Sequence, residues 1–213
     1  MDSRQATLPL PFNRGPPRPE RLHPDVEGDR KTAKTAGTYQ KVNYNLSCNQ
    51  ALLGPASLNL SVTGQLASRN LDRSRGSLGG PYSVRGYPAG EATGDQGWVG
   101  TAELRWNFAG TWQLTTYYDH GCILLHKHGW PDRQAGNPTL ENGYALSGTG
   151  LSLAFAKSNP ETGDTLVNLF VAGNGVPNQG LRHRQDAENH NNSVRIWLRV
   201  VKYFRALRSA TWC

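Results

Sequence analysis

Polar and apolar side chains alternate strictly along several stretches of this 213-residue chain. In residues 57–66 the apolar side chains occupy the even positions, apart from Gly64, and the polar ones occupy the odd positions. Residues 101–108 repeat the pattern, with Trp106 and Phe108 on the apolar side. A period of two places successive side chains on opposite faces of a strand. Both stretches are therefore predicted to be β-strands with one apolar and one polar face.

Further stretches follow the same scheme, and together they predict about seven strands. In one of them Trp112 and Tyr118 share the apolar face, whereas Asp119 lies on the polar face. The last one carries Arg195 and Arg199 on its polar face. These additional strands are predicted at residues 39–46, 112–119, 144–157, 165–173 and 194–204.

The predicted strands are long, and the connections between them alternate in length. Ordinary strands run about 5–6 residues, whereas strands of a membrane barrel need about 9–11 residues and carry aromatic girdles near their ends. Most of these strands can be drawn at the greater length. Short turns at 53–55, 109–111 and 159–163 alternate with long loops at 68–99, 127–143 and 174–192. This asymmetry is typical of an outer-membrane barrel, although a soluble all-β domain also has alternating strands.

Composition argues against helical membrane spans and against nucleic-acid binding. The mean hydropathy is -0.60, and no stretch approaches the roughly 20 apolar residues that a spanning helix needs. The net charge is +7 and the pI is about 9.5. However, the basic residues are scattered, without a basic helix or an aromatic stacking platform. We therefore expect no nucleic-acid partner.

The sequence contains no motif that indicates catalysis or a cofactor. It has no Walker loop, GxGxxG, GxSxG or HExxH pattern. Its three cysteines, Cys48, Cys122 and Cys213, form an odd set without a CxxC pair. Such a set indicates neither a zinc site nor a disulfide framework. We therefore expect no enzymatic activity, no cofactor and no bound metal.

A glycine-rich segment follows one predicted strand and carries Arg85. Its glycines, Gly79 and Gly80 among them, permit positive φ and close backbone approach, so a long connection can fold tightly on itself. A guanidinium removed from bulk water needs a planar acceptor, which a carboxylate supplies best in bidentate geometry. The candidate carboxylates in the neighbouring sequence are Glu91, Asp95, Glu103 and Asp119.

This segment resembles the signature loop of the TpsB outer-membrane transporters, the haemolysin secretion/activation and filamentous-haemagglutinin transporter family. The resemblance is carried by Gly79-Gly80-Pro81-Tyr82-Ser83-Val84-Arg85-Gly86-Tyr87-Pro88, then Gly90-Glu91 and Gly94-Asp95. It continues in the Glu103-Leu104-Arg105 strand and in Tyr117-Tyr118-Asp119-His120-Gly121. In all, it extends from about Gly37 to Phe204.

The resemblance implies an all-β fold: an antiparallel transmembrane β-barrel, here only a carboxy-terminal portion of about seven strands. In such transporters the long loop folds back into the barrel lumen, where its arginine, here Arg85, contacts a wall aspartate, here Asp119. A terminal aromatic residue, here Phe204, marks the end of the barrel. The resemblance assigns the lumen lock to Val84, Arg85, Gly86, Tyr87, Asp119 and Gly121, and the supporting loop and strand positions to Gly79, Gly80, Glu91, Gly94, Asp95 and Glu103.

The resemblance also implies transport without chemistry on the substrate. Members of the family export and activate a large secreted haemolysin- or haemagglutinin-like exoprotein of the TpsA type across the outer membrane. The implied partners are that exoprotein, outer-membrane lipid and the barrel-assembly machinery. Recognition of the exoprotein belongs to POTRA domains that precede the barrel.

The predicted domain organisation is that of a fragment. Residues 1–34 form a Pro/Arg-rich leader, disordered or non-homologous, without the apolar core of a signal peptide. Residues 35–204 form a partial barrel, and 205–213 a basic tail. About seven strands are fewer than the eight of the smallest bacterial single-chain barrels, so we expect no pore from this chain alone. The alternatives are a soluble all-β binding domain, with Trp98 and Trp130 in its site, and a non-functional gene remnant.

Overall fold

A computed structural model describes residues 12–14, 35, 38–72, 75–129, 142–159, 163–174 and 194–204. In this part of the chain all regular structure is β, and no helix has the length and hydropathy to cross a bilayer. The basic tail, Trp130 and the predicted leader other than residues 12–14 lie outside the described residues.

Ten strands are present in the described residues. They are β1 (Phe12–Arg14), β2 (Gln40–Ala51), β3 (Ala56–Ala67), β4 (Gly76–Leu78), β5 (Ala92–Gly94), β6 (Gln96–Phe108), β7 (Trp112–Leu124), β8 (Gly143–Lys157), β9 (Thr165–Asn174) and β10 (Val194–Lys202). Eight of them form one sheet in the order β1-β2-β3-β6-β7-β8-β9-β10, and all neighbours pair antiparallel. The described strands do not close into a barrel. The prediction of about seven long antiparallel strands is confirmed.

The long connection between β3 and β6 differs from the prediction in two respects. It contains a small two-stranded sheet, β4 with β5. It also ends earlier than expected, because β6 begins at Gln96. Gln96 pairs with Leu124, and Asp95 N donates to the Leu124 carbonyl at 3.0 Å, so the ladder with β7 continues through 96–99. Gly97 and Gly100 interrupt the polar/apolar alternation there, which is why the sequence pattern did not reveal this part of the strand.

One face of the large sheet is covered by the β3–β6 connection, and we call it the inner face. The opposite, outer face carries the apolar side chains, and these remain exposed. On β10, for example, Ile196, Leu198 and Val200 are 67%, 68% and 62% exposed. No second sheet packs against this face in the described part of the chain. The arrangement is therefore unlike a soluble β-sandwich, whose apolar faces pack against each other.

Aromatic side chains mark both ends of the outer face. Phe108, Trp112 and Phe155 lie in register at the end with the short turns. Trp98 lies at the opposite end, beside the Tyr44 ring that covers the adjacent strand. Trp98 and Phe108 are ten residues apart on β6, or about 34 Å along a strand. In an outer-membrane barrel, whose strands tilt by roughly 40°, a strand segment of this length would span about 26 Å in height, close to the apolar band of about 25 Å.

The buried core lies on the inner face, between the sheet and the folded connection. The connection contributes Leu78, Val84, Tyr87 and Ala92, and the sheet side contributes Ile123, Leu125 and Leu146. Val84 and Tyr87 are completely buried. Fully burying a side chain of this kind contributes about 1.5–3 kcal/mol. The connection is therefore packed as part of the fold.

Candidate functional site

The site begins at a narrow neck in the connection, where two segments of chain cross. Gly79 has a φ of 88°, a conformation that L side chains rarely adopt. A Cβ at Gly79 would lie 2.1 Å from the Pro88 carbonyl oxygen. Beside it, the Gly80 amide donates to the Tyr87 carbonyl at 3.0 Å. The neck thus closes residues 81–86 into a compact tip that points at the inner face.

Arg85 in this tip binds the carboxylate of Asp119 on β7. The Arg85 Nε–Asp119 Oδ2 and Nη2–Oδ1 distances are both 2.8 Å, which is bidentate geometry. The backbone amide of Arg85 donates to the same Oδ2 at 3.1 Å. The Asp119 side chain is fully buried and that of Arg85 is 6% exposed. The pair is therefore removed from bulk water, and each charge depends on the other for compensation.

Glu103 on β6 extends the ion pair into a chain of charges. Its Oε1 accepts from Arg85 Nη1 at 2.8 Å, and its Oε2 accepts from Arg105 at 2.6 and 2.9 Å. Asp119 gains a further donor from the Thr101 hydroxyl at 3.0 Å. Two arginines thus face two carboxylates along the inner face, and the local charges balance.

Tyr117 and Trp197 complete the contacts of Arg85. The guanidinium carbon lies 3.4 Å from the centre of the Tyr117 ring, in cation–π geometry. From β10, Trp197 Nε1 donates to the Arg85 carbonyl at 3.0 Å. The sequence analysis assigned neither residue to the site. The available signal was the alternation: Tyr117 lies on the same face of its strand as Asp119, and Trp197 lies on the same face as Arg195.

Burial and charge shift the ionisation of Arg85 in the tip and of Tyr87 at the neck. Burial by itself would lower the pKa of Arg85. The hydrogen bonds and charges of Asp119 and Glu103 outweigh burial, so the pKa lies above its ordinary value and the guanidinium stays charged. Burial, aided by the charge of Glu91, raises the pKa of Tyr87 to about 12. Tyr87 is therefore neutral at physiological pH.

Comparisons with known proteins identify the family. Residues 11–146 match the haemolysin secretion/activation proteins of the ShlB/FhaC/HecB type. The chain belongs to this family. The prediction of a TpsB-type transporter sequence is thereby confirmed.

Two relatives show how much of a family member this chain covers. The heme/hemopexin transporter protein HuxB of Haemophilus influenzae strain 86-028NP is 28% identical over 170 residues, which cover 76% of this chain and 26% of HuxB. HuxB of strain ATCC 51907 is 27% identical over 167 residues, with the same coverage. The chain thus spans about a quarter of the length of these curated relatives. No solved structure matches the chain significantly.

The other positions that the resemblance assigned lie around the Arg85–Asp119 ion pair or apart from it. Gly86 lies against β9, where an added Cβ would be 2.7 Å from the Gly173 carbonyl oxygen. At Gly121 an added Cβ would be 3.0 Å from the Leu78 side chain, and at Gly94 it would be 2.3 Å from the Leu124 carbonyl oxygen. These three glycines permit close packing of the connection on the sheet.

The Arg85 guanidinium binds Asp119 and Glu103, and the remaining predicted positions make other contacts. Glu91 is buried and influences Tyr87. Asp95 is fully buried and binds Arg75. Phe204 is 82% exposed beyond the end of β10, within 6.0 Å of Lys202 Nζ. Among the described residues, His, Cys, Asp and Glu form no cluster of three or more that could hold a metal ion.

Trp197→Phe is expected to weaken the attachment of the tip to β10. The change removes the indole N–H and leaves the Arg85 carbonyl without that donor, at a cost of about 1–3 kcal/mol. Denaturant unfolding in detergent, with free energies compared between variants, measures the loss. Trp106→Phe on the exposed outer face is the matched control and is expected to change stability by no more than about 0.5 kcal/mol. Equal losses for both variants would contradict a specific role for Trp197.

Proposed function

We propose that this chain forms part of the barrel wall of an outer-membrane transporter of two-partner secretion, with the β3–β6 connection as its lumen plug. The observation that carries the proposal is the position of Arg85. It is a charged side chain from a connecting loop, buried against the inner face and bound by Asp119 and Glu103. A loop that only joined two strands would leave its charged side chain in solvent.

The outer face supports a position in lipid. Its exposed apolar side chains are bounded by aromatic residues at both ends, Trp98 at one and Phe108 and Trp112 at the other. The height of about 26 Å between these ends suits the hydrocarbon layer. In water the same exposed surface would favour aggregation.

The inner face supports the role of a lock. Removing one partner from a buried ion pair leaves an uncompensated charge, which costs about 3–5 kcal/mol. The tip is therefore held firmly in the lumen at rest, and displacement of the loop requires the Arg85–Asp119 pair to separate. We infer that the lock fixes the plug in the conformation from which transport starts.

The transported substrate in this proposal is a large secreted exoprotein of the TpsA type, exported and activated without covalent chemistry. Family membership supports this class of substrate. Because the chain spans about a quarter of its relatives' length, we propose that further strands and the substrate-recognition domains come from sequence outside this chain. Barrel assembly would then depend on joining those strands to the open edges of the sheet.

A pair of arginine substitutions tests the membrane position. Leu60 lies on the outer face of β3, and Ser47 lies exposed on the inner-face side of β2. In the intact transporter, Leu60→Arg places a charge in lipid near mid-height, at a cost of about 2–4 kcal/mol. We expect a large loss of protein from the outer-membrane fraction for Leu60→Arg and wild-type amounts for Ser47→Arg.

The same experiment examines the alternative of a soluble all-β binding domain. In a soluble protein, exposed Leu60 and exposed Ser47 would tolerate arginine equally. Equal recovery of both variants in the soluble periplasmic fraction, as stable monomers, would overturn the transporter proposal. Recovery of wild type in outer membranes, with selective loss of Leu60→Arg, supports it.

A further inference from the structure

Asp95 is a second buried carboxylate that the lock does not use. It lies in the bend between β5 and β6, and its side chain is fully buried. Its Oδ1 accepts from the Leu71 amide and from Arg75 Nε, both at 3.2 Å. Its Oδ2 accepts from the Lys127 amide at 2.9 Å. One carboxylate thus joins the start of the β3–β6 connection to the segment that follows β7.

The backbone of Asp95 joins the same segments. Its amide donates to the Leu124 carbonyl at 3.0 Å, and its carbonyl accepts from Gln65 Nε2 at 3.1 Å. Arg75 strengthens the junction, because its Nη2 also donates to the Leu125 carbonyl. The end of β3, both ends of the connection and the segment after β7 therefore meet at one residue.

This junction is separate from the lock. Its bonds involve none of the residues that bind the Arg85 guanidinium. Asp119 and Leu124, whose carbonyl accepts from the Asp95 amide, are five residues apart on β7, which is about 17 Å along the strand. Asp119 holds the tip of the connection. Asp95 holds together the two ends of the connection, which we call its mouth.

We propose that Asp95 is a positioning residue that anchors the mouth of the plug to the β7–β8 connection, independently of Arg85. The mouth can then stay closed while the tip is released, so the plug can leave its lock without losing its attachment to the barrel rim. The role in transport rests on the proposed function, whereas the anchoring itself does not.

Hydrogen exchange measured by mass spectrometry on the intact transporter in detergent tests the proposal. In Asp95→Asn an amide replaces the carboxylate, and its NH₂ group cannot accept from the donors on one of the two sides. We expect amide exchange to become about tenfold faster in the peptide containing Leu71 or in the one containing Lys127, whichever side the NH₂ group faces. Exchange in the peptide containing Arg85 and Tyr87 should remain within about twofold of wild type.

Two further variants make the test decisive. Arg85→Ala should show the reverse pattern, with faster exchange at the tip and unchanged exchange at Leu71 and Lys127. Arg75→Gln removes the bonds from Arg75 to Asp95 and to the Leu125 carbonyl but keeps the carboxylate, so it serves if Asp95→Asn fails to fold. It should speed exchange at Leu71 and Lys127 and leave exchange at the tip unchanged. Faster amide exchange at both the mouth and the tip in Asp95→Asn or Arg75→Gln would overturn independent anchoring. Unchanged exchange at the mouth in these variants would overturn it as well. Normal secretion by Arg85→Ala would instead count against the proposed function and leave the exchange pattern unaffected.

Discussion

Asp119→Ala in the intact transporter is expected to release the plug from the barrel wall and to impair secretion of the exoprotein severely. The substitution leaves the Arg85 guanidinium buried without its bidentate partner, at a cost of about 3–5 kcal/mol. Glu103 still binds one nitrogen, and any water that enters the lumen reduces the loss. Secreted exoprotein per unit of transporter in the outer membrane is the measurement.

Matched variants separate the lock from general damage. Arg85→Ala should impair secretion as Asp119→Ala does, and the double variant should be no worse than either, because each single change already breaks the pair. Asp164→Ala removes an exposed carboxylate that accepts from Ser158 Oγ, and it should secrete normally. Wild-type secretion by both lock variants would disprove the lock.

Gly79→Ala is expected to disrupt the neck of the plug. The added Cβ would lie 2.1 Å from the Pro88 carbonyl oxygen, so the backbone must move. The φ of 88° adds strain of about 1–2 kcal/mol. We expect faster proteolysis within the connection and impaired secretion.

Gly90→Ala is the matched control for the steric part of this effect. Gly90 lies in the same connection with a φ of 75°, but an added Cβ would have nothing within 4 Å. It should cost only about 1–2 kcal/mol of backbone strain and leave the lock in place. If Gly79→Ala and Gly90→Ala behave alike, crowding at the neck has no role.

The strands were largely predictable because alternation is local information. Where polar and apolar residues alternate, as in 57–66 and 101–108, the period determines both the strand and the face of each side chain. The same local period places Asp119 on the polar face of its strand. The start of β6 was missed because Gly97 and Gly100 carry no side chain to alternate.

The ion pair of Arg85 with Asp119 and Glu103 was only partly predictable. Arg85 needed a carboxylate, and parity together with family resemblance favoured Asp119 among four candidates. Whether Glu103 shares the guanidinium depends on how β6 and β7 align, with Glu103 opposite Tyr117 and Thr101 opposite Asp119. That register follows from the whole ladder and from the turn between the strands.

The sequence by itself determined the strands, their two faces and the need of Arg85 for an acid, because each of these depends on neighbouring residues and on elementary chemistry. The tertiary structure decided which distant groups meet: the indole of Trp197 with the Arg85 carbonyl, 112 positions away, and the Lys127 amide with Asp95. Such contacts form only after the sheet has brought separate strands side by side and the β3–β6 connection has folded onto them. No local pattern contains that information, because the contact depends on register and packing along the entire sheet.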